Sequence, residues 1–307
     1  MTADTVGAAP ATQRLAGALI TASSAVVLGL SNVVVPSVYA HGGTPAATLL
    51  LRFLFLTGIL LAALPMLGKR IQLGGRGAGW LLAAGAVSSV GSVCLLGAFA
   101  LMPVSLAILI VYLYPILTAI FTSIATRRPV GLLQIACLLA AFGGLAIALW
   151  GGLAGAIDPR GIAIAALGAT GFSLSFVGAR QAPQDADPMQ RTLLMSIGGT
   201  LLSAITSTGL AAAGLVPFGV PSLGDGIGWA GMLMLSVCFS YAYFAMYRGS
   251  QMIGPTAATM IMNLEVVATF VLAALLLNEA LDARRLIGGA IVLAAVIVSQ
   301  ALSSREP

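Results

Sequence analysis

One acid stands in the middle of an apolar run: Glu265, about ten residues into the stretch 255–277. Placing a carboxyl group at the centre of a lipid-spanning helix costs about 2.5–3.5 kcal/mol on an insertion scale. Three roles fit such a group: binding a cation or an amino group, carrying a proton, or hydrogen-bonding helices together. The cost favours a cavity. Asn263, two residues earlier, adds a second polar group to the same run. Arg52 lies inside the run 46–67, about one and a half turns from its outer end. Its long side chain is expected to snorkel to the outer interface; a sharper reading has it drawing a substrate carboxylate to a cavity mouth. Pro115 interrupts the run 104–125 and frees the carbonyl of Val111, which in a membrane needs protein or a wet cavity. Tyr112 and Tyr114 flank that break and offer rings and hydroxyls either to a ligand or to packing around a kink.

Fainter polar signals run along other segments. Ser236, Ser240, Tyr243 and Tyr247 fall at i, i+4, i+7 and i+11, one face of a helix. Ser88, Ser92 and Phe99 roughly share a face, and Ser31 with Asn32 matches Thr170 with Ser173. These stripes are expected to line a lumen, although serines also hold membrane helices together. The candidate substrate-binding residues are therefore Glu265, Tyr112, Tyr114, Ser88, Ser92, Ser31, Asn32, Ser173, Ser240, Tyr243 and Asn263. Pro115 is the expected hinge and Arg52 the possible cation at the cavity mouth.

Other features are plain. His41 is the sole histidine and falls in an outer loop, so no His-based catalytic or metal site is expected. Cys94, Cys137 and Cys238 sit far apart in apolar runs without a CxxC spacing, which supports neither a zinc site nor a disulfide framework. No cofactor is expected. Gly161, Ala165 and Ala169 make a small face suited to close packing. Gly74-Gly75-Arg76-Gly77 reads as a flexible basic turn, and Glu279 is expected to pair with Arg284 or Arg285. An intramembrane enzyme would need HExxH, paired aspartates or a Ser–His arrangement within the apolar runs, and none is there.

The elements that position these residues follow from composition. The chain has 307 residues, 59% hydrophobic and only 7% charged, with mean hydropathy +1.06. A soluble chain is about a quarter charged, so soluble enzymes, nucleic-acid binders and disordered scaffolds are excluded. A spanning helix needs about 20 mostly apolar residues, and charge, Pro and Gly clusters divide the chain into ten such runs. They are 15–37, 46–67, 78–101, 104–125, 131–151, 161–180, 190–214, 227–247, 255–277 and 284–303. The first is too long for the apolar core of a signal peptide, about 7–15 residues. With the N-terminus inside, ten Lys/Arg fall on the inner side (Arg14, Lys69, Arg70, Arg76, Arg127, Arg128, Arg180, Arg191, Arg248 and Arg305). Only Arg160, Arg284 and Arg285 fall outside, so both termini are expected in the cytoplasm, with the protein integral to a plasma membrane. The longest loops, around 152–160, 180–189 and 216–226, are too short to be folded units.

Ten runs divide into five and five, 1–155 and 156–307. An offset of 150 residues superposes Met102 on Met252, Ala107 on Ala257, Ala140 on Ala290 and Ile147 on Ile297. A duplicated unit with an odd number of spans inserts in opposite orientations, which gives an inverted repeat with a midplane site between the halves. The expected fold is an all-α polytopic membrane protein, ten transmembrane helices as two inverted five-helix repeats around a central cavity. Rocking of one half against the other would then give alternating access.

This pattern resembles the EamA-type transporters of the drug/metabolite transporter superfamily. The resemblance is carried by Tyr112-Leu113-Tyr114-Pro115-Ile116-Leu117, by Met262-Asn263-Leu264-Glu265-Val266-Val267-Ala268, and by Leu277-Asn278-Glu279-Ala280-Leu281 followed by Gly288-Gly289. It spans essentially the whole chain and implies export of amino acids or other small metabolites. Two departures stand out: Val266 follows Glu265 where many relatives have proline, which softens the expected kink there, and Arg127-Arg128-Pro129 replaces an acidic turn. No Walker-type loop is present, so the expected activity is secondary transport. Aromatic and serine lining with one deep acid favours a zwitterion, hence amino acids; efflux of cationic drugs or other amphipathic compounds is the alternative, and an intramembrane enzyme or a channel fits less well. The expected partners are a small-molecule substrate and the lipid bilayer, with no nucleic acid and no obligate protein partner, since one chain supplies both halves of the cavity.

Overall fold

The computed structural model describes residues 11–68, 75–99, 101–150, 158–182, 187–277 and 282–303. Lys69, Arg70, Gly74, Asn278, Glu279 and Arg305 lie outside the described residues, as do parts of the loops around 152–160 and 180–189 and the side chain of Phe99. The described residues form twelve α-helices: α1 (Ala11–Ala40), α2 (Pro45–Met66), α3 (Gly75–Phe99), α4 (Val104–Val111), α5 (Tyr114–Thr126), α6 (Leu132–Leu149), α7 (Pro159–Arg180), α8 (Pro188–Ala212), α9 (Gly226–Ile253), α10 (Pro255–Met262), α11 (Leu264–Leu277) and α12 (Ala283–Ser303). Among the described residues, nine stretches are long and apolar enough to cross a membrane. Two of them are composite, since α4 with α5 and α10 with α11 each make one crossing. The 21-residue α12, laid against α6, takes the tenth place.

Both composite crossings are interrupted at the same place in the repeat, because Leu113 and Asn263 are 150 residues apart. The first break has the expected cause: Pro115 sits in the first turn of α5, and Leu113 N–H bonds back three residues to Ile110 instead of four. The second break corrects the expectation of a softened kink. Asn263 takes φ −58°, ψ −21°, and its N–H bonds to Met260, again three residues back. The interruption survives without a proline.

Caps account for several other helix ends. Thr44, Asp158, Asp187 and Asp225 each offer a side-chain oxygen to a first-turn N–H of α2, α7, α8 and α9. Arg191, counted above as a loop cation, is buried at the start of α8 and donates to Ala179 O at 2.6 Å and Ala182 O at 3.3 Å. It thereby closes the C-terminus of α7. At the other end of the bundle, Thr44 and Gly219 exchange hydrogen bonds, Thr44 N to Gly219 O and Gly219 N to Thr44 Oγ1, both at 3.0 Å.

Packing runs mainly between the halves. α1 lies along α9, and in the mirrored place α7 lies along α3; α2 meets α8 and α9, while α8 meets α3. α6 pairs with its counterpart α12, and α10 with α5. Small residues allow these approaches. The Gly161, Ala165, Ala169 face of α7 is buried as expected, and a Cβ at Gly171 would stand 3.0 Å from Val87 O on α3. A Cβ at Gly144 would stand 2.7 Å from Gly288 O. The halves interleave so thoroughly that neither is a separate lobe.

Candidate functional site

Glu265 occupies the first turn of α11, immediately after the break, where the partial positive charge of a helix N-terminus favours an acid. Asn32 on α1 donates from Nδ2 to Glu265 Oε1 at 3.0 Å and to Thr269 Oγ1 at 3.3 Å. Thr269 in turn donates to the Glu265 backbone carbonyl at 2.8 Å. The Tyr112 hydroxyl, from the break in the other half, lies close to the same carboxyl. Both interruptions therefore converge on one acid.

Arg52 does not snorkel outward. Its guanidinium turns inward from α2 and reaches Ser31 on α1, with Nη2 to Oγ at 3.5 Å, while its Nε is buried without a hydrogen-bond partner among the described residues. Tyr39, Glu265 and Cys238 are its titratable neighbours. A helix-exposed arginine would give up packing and its Ser31 contact; the notch left by Ser31, fully buried, accepts it instead. Ser31 and Asn32 thus point in two directions from adjacent positions, one to the guanidinium and one to the carboxyl. Among the described residues no direct ion pair joins Arg52 and Glu265. Asn32 is exposed, and Glu265, Tyr112 and Arg52 each keep some accessible surface.

Toward the end of the bundle where α1 begins and α7 and α9 finish, the site is closed by aromatic rings. Tyr112 and Tyr114 sit edge to face at 5.8 Å; Tyr114 stacks on Phe176 at 6.3 Å, Phe176 on Tyr247 at 5.1 Å, and Tyr247 meets Tyr243 at 4.8 Å. Phe53 and Phe239 continue the series beside Tyr243 at 5.6 and 5.4 Å, and Phe172 flanks Tyr114 at 6.0 Å. Tyr114, Phe176, Tyr243, Tyr247 and Phe53 are all buried. The Tyr247 hydroxyl shares a short hydrogen bond with Ser175, and Tyr114 donates to Thr259 O at 3.4 Å. Phe53, Phe172, Phe176 and Phe239 look like ordinary apolar residues in the sequence; the spacing of four between Phe172 and Phe176, and between Phe239 and Tyr243, was the available signal.

The remaining serines lie on packed helix faces. Ser236, Ser240, Tyr243 and Tyr247 do share a face of α9, but that face is buried against neighbouring helices and lines no open lumen. Ser236 and Ser240 bond back to carbonyls four residues earlier, at 2.9 and 2.7 Å, and Ser92 does the same to Ser88 at 3.4 Å. Ser173 is fully buried and donates to Tyr114 O at 2.8 Å, propping the first break. Ser88 stands beside the Tyr243 and Tyr247 hydroxyls, although Tyr243 has no well-formed hydrogen bond among the described residues. Asn263, 2% exposed, leaves its Oδ1 without a hydrogen-bond partner among the described residues. Glu265, Asn32, Tyr112, Ser31 and Arg52 are therefore brought together, Tyr114 lies just behind them, and Ser92, Ser173 and Ser240 are spent on backbone.

Two inverted sets of five crossings, each with an interrupted fourth member and a charged site where the interruptions meet, define a polytopic membrane protein of the carrier type. The EamA-like transporter family matches residues 15–150 and 159–300, once for each half. The chain belongs to that family. One solved crystal structure is similar in fold, with a TM-score of 0.76 and 18% identity over 94% of this chain and 99% of that one. No curated protein matches the sequence significantly.

Proposed function

We propose that this protein exports small zwitterionic metabolites, amino acids foremost, as a secondary transporter working by alternating access. The observation that carries this reading is the pair of ionisable groups of opposite sign, Arg52 and Glu265, held apart on either side of Ser31–Asn32, with Asn32 exposed and some accessible surface on each. A charge taken out of water is costly unless it is paired. Two such charges left separate are satisfied together by a ligand that brings both a carboxylate and an ammonium. A cationic drug would answer Glu265 alone and leave Arg52 unmet. The substrate-binding group is then Glu265, Asn32, Tyr112, Arg52 and Ser31, with Pro115 fixing one hinge.

The remaining parts follow from the geometry. The aromatic series seals the site toward the end bearing Arg14, Arg180 and Arg248, and the excess of arginine assigns that end, with both termini, to the cytoplasm. Because the halves interleave, the bodies that move are mixed ones, such as α1 with α9 against α7 with α3. One chain contains the whole site, so a monomer suffices.

Counterflow into proteoliposomes tests the reading, with amino acids, a sugar and a cationic dye as competitors for labelled phenylalanine. Phenylalanine and other zwitterions should exchange, whereas phenethylamine, which lacks the carboxylate, should exchange poorly. Preferential exchange of phenethylamine or the dye would replace amino-acid export with cation efflux.

A further inference from the structure

The groups around Glu265 fix which end of the Asn32 amide faces a ligand. Thr269 spends its hydroxyl proton on the Glu265 backbone carbonyl, four residues earlier, at 2.8 Å. Its Oγ1 therefore turns lone pairs, and no proton, toward Asn32. The Glu265 Oε1 beside it is an acceptor too. Asn32 answers both with the NH2 end of its amide, at 3.3 Å to Thr269 and 3.0 Å to Glu265. Turned over, the amide would set its own oxygen against two oxygens with no proton between them. Oδ1 is thus the end left over: it accepts no hydrogen bond among the described residues, on a side chain that is exposed.

The backbone holds this arrangement in register. Gly29 lies three residues before Asn32 on α1, and a Cβ there would stand 2.8 Å from the Ala268 Cβ and 2.9 Å from Thr269 N. α1 comes close enough to α11 for these bonds because residue 29 has no side chain. The carboxylate of a glutamate offers about four lone-pair sites on its two oxygens. Asn32 and the nearby Tyr112 hydroxyl fill only part of that capacity. A ligand at the accessible side of the pair therefore meets two acceptors, a neutral amide oxygen and a carboxylate, where charge recognition alone needs only the second.

We propose that the carrier recognises its substrate's ammonium as a donor of two N–H groups, one to Asn32 Oδ1 and one to the Glu265 carboxylate, with Thr269 the positioning residue that keeps the Asn32 oxygen toward the ligand. This rests on the transport reading given above and narrows it. Zwitterions with a primary or secondary amine are substrates; fully N-methylated betaines, equal in charge, are not. A quaternary ammonium has no N–H and leaves both acceptors unpaired, the condition under which a hydrogen-bonding site rejects an analogue most strongly.

Competition against counterflow of labelled phenylalanine tests it, using phenylalanine and its N-methyl, N,N-dimethyl and N,N,N-trimethyl derivatives, which carry three, two, one and no N–H. The inhibition constant should change little at the first methyl and rise by about tenfold or more between the N-methyl and trimethyl compounds. Thr269→Val removes the hydroxyl and lets the Asn32 amide turn over; phenylalanine should weaken about tenfold while the trimethyl compound is unmoved, and Thr269→Ser should restore the wild-type ratio. A Thr269 that only packed helices would leave that ratio alone. Equal competition by phenylalanine and its trimethyl derivative, or an unchanged ratio in Thr269→Val, would overturn the proposal. If phenethylamine exchanges in place of phenylalanine, the zwitterion reading fails, and the same methylation series built on phenethylamine decides: a matching step upholds the N–H requirement, and its absence overturns it.

Discussion

At the scale of single residues, the site separates groups that a ligand can use from groups the backbone has already taken. Glu265→Gln keeps the Asn32 contact but removes the charge, and charge-assisted hydrogen bonds are worth about 1.5–3 kcal/mol. Phenylalanine kcat/KM should fall at least tenfold with the melting temperature unchanged; full transport in that variant would remove Glu265 from the mechanism. Arg52→Gln should lower phenylalanine transport more than phenethylamine transport, a ratio measurable in one counterflow series. Asn263→Leu copies Leu113, its counterpart in the other half. Removing a buried unpartnered amide should raise the melting temperature, by an amount corresponding to about 1–3 kcal/mol; slower transport in the stabilised variant would mark Asn263 as a ligand group, and unchanged transport as a hinge residue only. Glu265 was legible in the sequence because an acid in an apolar run has few excuses. The direction of Arg52 was not, since a long side chain about one and a half turns from an interface can go either way and only the notch at Ser31 decides. The backbone bonds of the serines were hidden for a similar reason: periodicity reports which face a hydroxyl occupies, and says nothing of whether it also bonds its own helix.

At the scale of elements, close approach of helices is controlled by individual glycines. Gly143 and Gly144 are neighbours on α6, yet a Cβ at Gly143 meets nothing, whereas one at Gly144 would stand 2.7 Å from Gly288 O and 3.1 Å from the Ile291 side chain. Gly143→Ala should therefore be neutral or slightly stabilising, by up to about 1 kcal/mol from helix propensity. Gly144→Ala should force α6 and α12 apart and cost about 1–3 kcal/mol. Thermal unfolding of the two variants in detergent, side by side, checks the contrast, and equal melting temperatures would show that this pair of helices does not set stability. Gly288, carried forward from the sequence as a family-like feature, acquires its physical reason here: a Cβ on it would run into Gly144 O and Ala148.

At the scale of the whole molecule, hydropathy alone marked out the ten crossings, because lipid tolerates so few ways of hiding a backbone. Pairing between crossings was hidden, since apolar surfaces look alike whether they face lipid or another helix. The interleaved packing of α1 on α9 and α7 on α3 makes each half dependent on the other. Residues 1–155 and 156–307, expressed as separate chains, should each be degraded alone and should accumulate together as a complex that binds the same substrate. Stable accumulation of either half by itself, judged by protease resistance in the membrane, would contradict the dependence.

The two interruptions, one with a proline and one without, are mechanically unequal joints. Pro115 has no N–H to give, so no rearrangement restores an unbroken ladder of backbone bonds through the first joint. Around Asn263 every residue keeps its donor, and the second joint can close into continuous helix and reopen. A protein built from two nearly equivalent halves thus owns one permanent elbow and one that straightens. An alternating-access cycle of the kind proposed would then flex two unequal joints and favour one resting posture before any gradient is applied.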